Sequence, residues 1–194
     1  MPTQGRTPLP GSDDTEAPDL VRRDFPARQV NRKWYGDGTE IPTGQGKLYL
    51  ASVMNMASRR VLGFALGEHH DARLACSALV MAVAVRGGRV PGVIMHTDQG
   101  SEYTAGLVRQ AFTRLGIAQS MGRPGSAPAT AGSGSWHSTL ESGLRSVEHF
   151  PTRAAARARV SAWIEDYNRH RRHSALGMMS PVDYEQALKA GEAA

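Results

Sequence analysis

The sequence predicts an α/β fold, a mixed five-stranded sheet flanked by helices, and three observations carry that prediction. Three strand-like runs follow one another with no helix between them. Helical and strand-like segments then alternate, and the chain closes on helices. Residues 92–103, GVIMHTDQGSEY, set a short apolar run (Val93, Ile94, Met95) between Pro91-Gly92 and Gly100, the pattern of a buried strand that turns sharply into a helix.

Each element has its own local signal. Residues 33–41 (KWYGDGTEI) form a first strand carrying Asp37, and residues 48–56 and 60–66, split by Ala57-Ser58, read as adjacent antiparallel strands rich in Val, Leu, Tyr and Phe. Asp71 caps a helix over 72–85 that is apolar nearly all round and stops at Gly87-Gly88. That composition predicts burial against the sheet, with Cys76 and Met81 in the core. The 92–103 stretch supplies the fourth strand. Ser101 then opens a helix whose Val108, Ala111, Phe112 and Leu115 share one face before Gly116, and residues 117–121 make a fifth, edge strand.

Residues 122–135 (GRPGSAPATAGSGS) offer no side chain to anchor a core and read as a mobile loop. Beyond them, residues 136–150 look helical. A further helix over 152–169 aligns Val160, Trp163, Ile164 and Tyr167, aromatics better suited to a core than to base stacking. Ser180-Pro181-Val182-Asp183 is a capped start for the last helix. The expected division is a disordered lead-in over 1–18, poor in large apolar residues, one domain over 19–190, and a tail over 191–194.

Composition narrows the class of protein. The 194 residues suit one domain with a sizeable core, no apolar run approaches the roughly 20 residues of a membrane span, and the N-terminus lacks a signal-peptide pattern. A single cysteine, Cys76, excludes a disulfide framework and a thiolate zinc site, and a reducing, cytoplasmic setting is expected. With no cysteine partner and no HExxH spacing, zinc does not fit the histidines either. Net charge is +5, which favours a polyanionic partner. Of 23 basic residues only Lys33, Lys47 and Lys189 are lysines. Arginine suits phosphate contacts, although a coding bias towards arginine gives the same composition.

Two carboxylates stand out for chemistry. Asp98 closes the fourth strand, at the edge where open α/β sheets bind ligands, as a metal ligand or base or simply as a turn former. Asp37 can converge with it if the first and fourth strands are neighbours, and carboxylate oxygens suit magnesium or manganese. His96 beside Asp98 reads as a packed strand-end histidine, and His69-His70 as the start of a loop.

WYGDGTEI, LYLASVMNMASRRVLGFAL, HTDQGSEY, LGIAQSMGRPGS and YNRHRRHSALGMMSPVDYE, in this order and spacing, resemble the integrase core of bacterial insertion-sequence transposases of the DDE superfamily, over nearly the whole chain from Pro18. The resemblance implies a ribonuclease H-like fold and an Asp-Asp-Glu triad binding two Mg2+ or Mn2+ ions. It implies cleavage at transposon ends and joining of the freed 3′ hydroxyl to target DNA by a homo-oligomer. Asp37 matches the first acid and Asp98 the second. The third falls on Gly134, so the catalytic Glu is absent. Ala129-Thr130 stand where Asp-Asn is usual, and Asn55 where Asp is usual.

Neither nearby acid replaces the Glu at sequence level. Glu141 lies two helical turns, about 10 Å, beyond position 134, and Glu102 on a first helical turn reads as an exposed cap. The expected protein is an inactive or severely impaired transposase core. The alternatives are an active enzyme completed by another acid or chain, and a non-catalytic DNA-binding or assembly module that regulates an intact transposase. Arg169, Arg171, Arg172 and His173 are the candidate contacts to the DNA backbone. No helix-turn-helix is visible, so recognition of transposon ends is assigned to an upstream region or a separate helix-turn-helix polypeptide.

Overall fold

A hairpin organises the molecule. In the computed structural model, which describes residues 17–21, 29–98, 100–122 and 133–192, β1 (Lys33–Thr43) turns through Gly44-Gln45 into β2 (Gly46–Asn55), and β3 (Val61–Gly67) adds on antiparallel. Gly46 holds φ at 102°, a left-handed value that a residue with a Cβ adopts only under strain. The chain then crosses the sheet through α1 (Ala72–Val85) so that β4 (Ile94–Thr97) lies parallel to β1. It crosses again through α2 (Ser101–Thr104) and α3 (Gly106–Leu115) to β5 (Ala118–Met121). Parallel neighbours need such crossovers, and the resulting order is β3-β2-β1-β4-β5.

The strand period of two sorts the side chains onto two faces. Trp34, Ala51, Val53 and Met95 meet α1 and α3. Ile41, Leu48, Leu50 and Met54 meet α4 (Ser133–Leu140), a π-helical turn at Glu141–Arg145, and α5 (Arg153–His170) through Trp136, Leu140, Leu144, Val160 and Ile164. Each fully buried side chain of this size contributes about 1.5–3 kcal/mol. On the first face α1 sits unusually close to β3: a Cβ on Gly63 would lie 2.2 Å from the Ala78 carbonyl oxygen.

Capping follows the sequence. Asp71 accepts from the Leu74 N–H at 2.9 Å and Thr152 from the Ala155 N–H at 3.1 Å, while Gly116 closes α3 in the left-handed region. The last helix, α6 (Pro181–Glu192), begins after Ser180 and continues into the expected tail. Three expectations differ. The helix opened by Ser101 breaks at Ala105 into α2 and α3, whose backbone there is extended. Met81 is 40% exposed, with Val80 and Val85 beside it, because the sheet covers only one face of α1. The expected mobile loop ends early, since α4 starts at Ser133, and residues 123–132 of that loop lie outside the described residues. Of the expected lead-in over 1–18 only residues 17 and 18 are described; there Met121 N–H donates to the Pro18 carbonyl at 3.3 Å, and next to it Leu20 N–H donates to Ser120 Oγ at 2.9 Å.

Candidate active site

The parallel register of β1 and β4 ends at Tyr35 opposite His96. Asp37 lies two residues further along β1 and Asp98 directly follows the end of β4, so continuing the same alternation sets both on the Tyr35–His96 face of the sheet. Asp37 is held from two sides: Oδ1 accepts from Gly38 N–H at 2.7 Å and Oδ2 from the Tyr35 hydroxyl at 3.4 Å. Asp98 is exposed, with Oδ1 accepting from Gly100 N–H at 3.2 Å, which fixes the turn into α2. The ligand and turn readings of Asp98 are therefore compatible, because one oxygen shapes the turn and the other carries no hydrogen bond among the described residues.

The surroundings are tightly built. Behind the carboxylates, burial first, and then the charges of Asp37, Glu102 and Asp98 and the Tyr35 phenol, hold the Tyr103 phenol well above its ordinary pKa. His96 is packed, as its sequence context predicts: Nδ1 is 3.0 Å from Ser120 Oγ and the ring stacks on Tyr35 at 6.2 Å between centroids. Burial lowers its pKa, and Asp19 and Asp98 oppose that shift. His70 and Glu102 are a feature that sequence reasoning missed. Glu102 is 8% exposed and is not an exposed cap; its carboxylate lies 3.2 Å from His70 Nε2, whose ring stacks on Tyr49. Gly100 leaves room for that carboxylate, which would sit 2.6 Å from a Cβ there. The partners are 32 residues apart, and no local pattern signals them.

Position 134 falls in the first turn of α4, and Ala129 and Thr130 lie outside the described residues. Glu141 is engaged elsewhere, 2.6 Å from Arg145 and accepting from the Ser146 hydroxyl at 3.2 Å. Asn55 serves the fold. Buried in the β2–β3 turn, it accepts from Ala57 N–H at 3.0 Å and donates to Asn31 Oδ1 at 3.2 Å. An Asp there would keep only the first of these bonds. Among the described residues no group of three His, Cys, Asp or Glu side chains is arranged to hold a metal ion. The oxygen-only pair Asp37 and Asp98 fits a magnesium or manganese ion held by two protein ligands.

The basic segment lies away from these acids. Asn168, near the end of α5, both accepts from and donates to the Val61 backbone at 2.9 Å, which ties that end of the helix to β3. Strand β3 is two strands, roughly 10 Å, from β1. Arg169 is paired with Glu165, and His170 with Asp166 at 2.8 Å. Arg171 and Arg172 are exposed. His173 packs edge-on to Tyr167, and burial, followed by the charges of Arg171 and Arg59, pushes its pKa down to about 4. It is neutral at physiological pH, so the cationic charge here rests on the arginines.

Comparison with known proteins agrees with this architecture. The Integrase core domain family matches residues 27–127 and, in a second model of the same description, residues 115–181. The transposase for insertion sequence element IS904 of Lactococcus lactis subsp. lactis is 36% identical over 87% of this chain and 67% of its own length. Transposase InsF for insertion sequence IS3A of Escherichia coli is 40% identical over 86% of this chain, which spans only 58% of that relative. The catalytic core domain of BIV integrase superposes with a TM-score of 0.60 at 18% identity, covering 84% of this chain and 99% of that one, a likeness of fold alone. With its parallel β1–β4 pair, its mixed five-stranded sheet and these matched segments, the chain belongs to the integrase core domain family and has the ribonuclease H-like core of the DDE insertion-sequence transposases.

Proposed function

We propose that this chain is the core of a DNA transposase whose phosphoryl-transfer site is crippled by the loss of its third acid. The observation that carries the reading is the convergence of Asp37 and Asp98 on adjacent parallel strands while the third position, in α4, is Gly134. Asp37 and Asp98 would hold the divalent cation that the family implies, which when bound polarises the scissile phosphate and activates the attacking oxygen. Tyr35 and Gly38 fix the direction of the Asp37 carboxylate, and the Gly100 amide fixes that of Asp98. Two ligands in place of three weaken cation binding and the alignment of attacking and leaving oxygens, so cleavage and strand transfer fall by orders of magnitude.

DNA is the expected partner, both as transposon ends and as target, with Arg169, Arg171 and Arg172 supplying sequence-independent phosphate contacts and His173 packed beside them. Transposases and integrases assemble on DNA as oligomers, and a homo-oligomer is the expected form here. The missing acid also favours a second reading, a DNA-binding or assembly module acting on an intact transposase. Manganese-dependent cleavage and strand transfer separate them, measured on the chain as it stands, on Asp98→Ala, and on Gly134→Glu combined with Ala129→Asp and Thr130→Asn. The crippled-site reading expects near-background activity in the first two and recovery in the third. Activity in the unaltered chain that vanishes in Asp98→Ala overturns it. Failure of the triple variant to recover, together with inhibition of an intact relative by the unaltered chain, selects the module.

A further inference from the structure

Arg145 stands beside the candidate site on an element the triad does not use. Thr39 follows Asp37 on the same face of β1, one side-chain step or about 7 Å along the strand. Arg145 reaches it from the π-helical turn, with Nη1 donating to Thr39 Oγ1 at 3.3 Å. The turn is pinned by fully buried Leu144 and closed by Ser146 N–H donating to the Glu141 carbonyl at 2.9 Å. π-Turns inside helices recur at functional positions. The guanidinium is under-used: Nε is buried with no hydrogen-bond partner among the described residues, and Glu141 Oε2, 2.6 Å away, sits on Nη1, the same nitrogen that reaches Thr39. Glu141 itself is half exposed.

We propose that Arg145 is a phosphate contact on the DNA path beside Asp37 and Asp98, and that Glu141 occupies it in competition with the DNA backbone. The proposal rests on the DNA-binding reading above. A phosphate chain brought to two aspartates meets like charge, and a fork-shaped cation one step away offsets it. A carboxylate tethered four residues earlier in the chain is displaced only by an anion that binds the fork better, so the pair tempers affinity without closing the site. The Glu141 side chain is half exposed and that of Arg145 a quarter exposed, so solvent screens the pair and exchange is feasible.

The test is binding of the chain to a fluorescein-labelled duplex by anisotropy over a range of salt concentrations. Glu141→Gln should tighten binding roughly two- to fivefold. Arg145→Ala should weaken it by a similar factor and lower the slope of log affinity against log salt by about 1. Adding Glu141→Gln to Arg145→Ala should then change nothing. Arg145→Lys, which keeps the charge but loses the fork, should weaken binding less than Arg145→Ala does, and with Glu141→Gln it carries the test should Arg145→Ala fail to fold by circular dichroism. Unchanged or weaker binding by Glu141→Gln in a chain that binds DNA overturns the proposal alone. Absence of binding by the unaltered chain overturns it together with the DNA-binding reading.

Discussion

Replacing Glu185 by Ala should destabilise the protein more than any surface change, through the buried charge it leaves behind. Glu185 on α6 is 4% exposed and accepts from the Ser58 hydroxyl at 2.6 Å, from Arg60 Nη1 at 2.8 Å and from Arg86 Nη1 at 2.8 Å, with Arg86 Nη2 on its other oxygen. Burial alone would raise its pKa, but Arg86 and Ser58, with Arg60, bring it below the ordinary value. Removing the carboxylate strands Arg86, whose side chain is only 8% exposed. Breaking one partner out of a buried pair costs about 3–5 kcal/mol, or roughly 6–20 °C in Tm for a domain of this size. Thermal unfolding followed by circular dichroism at pH 7 measures it. Because the folded pKa is depressed, this stability is present above the unfolded carboxylate pKa and is lost as pH falls through the folded value. The gap between parent and Glu185→Gln should therefore close in acid. A Tm loss under about 2 °C for Glu185→Ala would refute the reasoning.

Two further outcomes follow from individual contacts. Gly63→Ala should cost about 1–3 kcal/mol or more by urea unfolding, because its Cβ would meet backbone atoms of α1 at Ala78 and Ala82, which have no side-chain freedom to yield. His173, with its pKa pushed down to about 4, should show an imidazole NMR signal that stays neutral through pH 6. An unfolded histidine titrates near 6.5, so its contribution to stability is present above that value and lost as pH falls towards about 4. A midpoint above 6 contradicts the packed geometry.

The fold was legible because it is written in local period and punctuation. Asp71 and the Gly87-Gly88 stop place helix α1 to the residue, and the strand expected over 33–41 matches β1 to within two residues of its end at Thr43. The mixed sheet followed from three successive strands and then alternation. What escaped was set by distance in sequence or by what covers a face. Met81 on α1 reads as core, yet it is 40% exposed at the border of the sheet, where its sulfur accepts from the Phe64 N–H of β3 at 3.4 Å. Glu102 reads as a cap, yet it turns inward because His70, held flat on Tyr49, waits on another loop. The Glu185 cluster joins residues 127 positions apart, which no period reports. At the site, Asp98 is readable as a strand-end acid and Asp37 as an acid carried on the first strand, whereas the Tyr35 and Gly38 contacts that aim Asp37 need the structure.

The loss of the third acid is structurally quiet, and the reason lies in how α4 is held. Its burial is carried by Trp136 and Leu140, with Leu144 of the π-helical turn that follows, against Ile41, Leu48 and Leu50, and by the edge-on contact of Trp136 with Tyr167 at 4.8 Å. None of these involves position 134. A glycine in a helix costs roughly 0.5–1 kcal/mol relative to alanine, a fraction of what one of those buried side chains returns. The acids that remain are supported by elements that must form anyway: Asp37 by the central strand of the sheet, Asp98 by the turn that starts the crossover to β5. In the proposed reading, catalysis would need three carboxylates from three elements, whereas the fold needs no acid at position 134: the sheet and the packing of α4 stand with Gly134 in place.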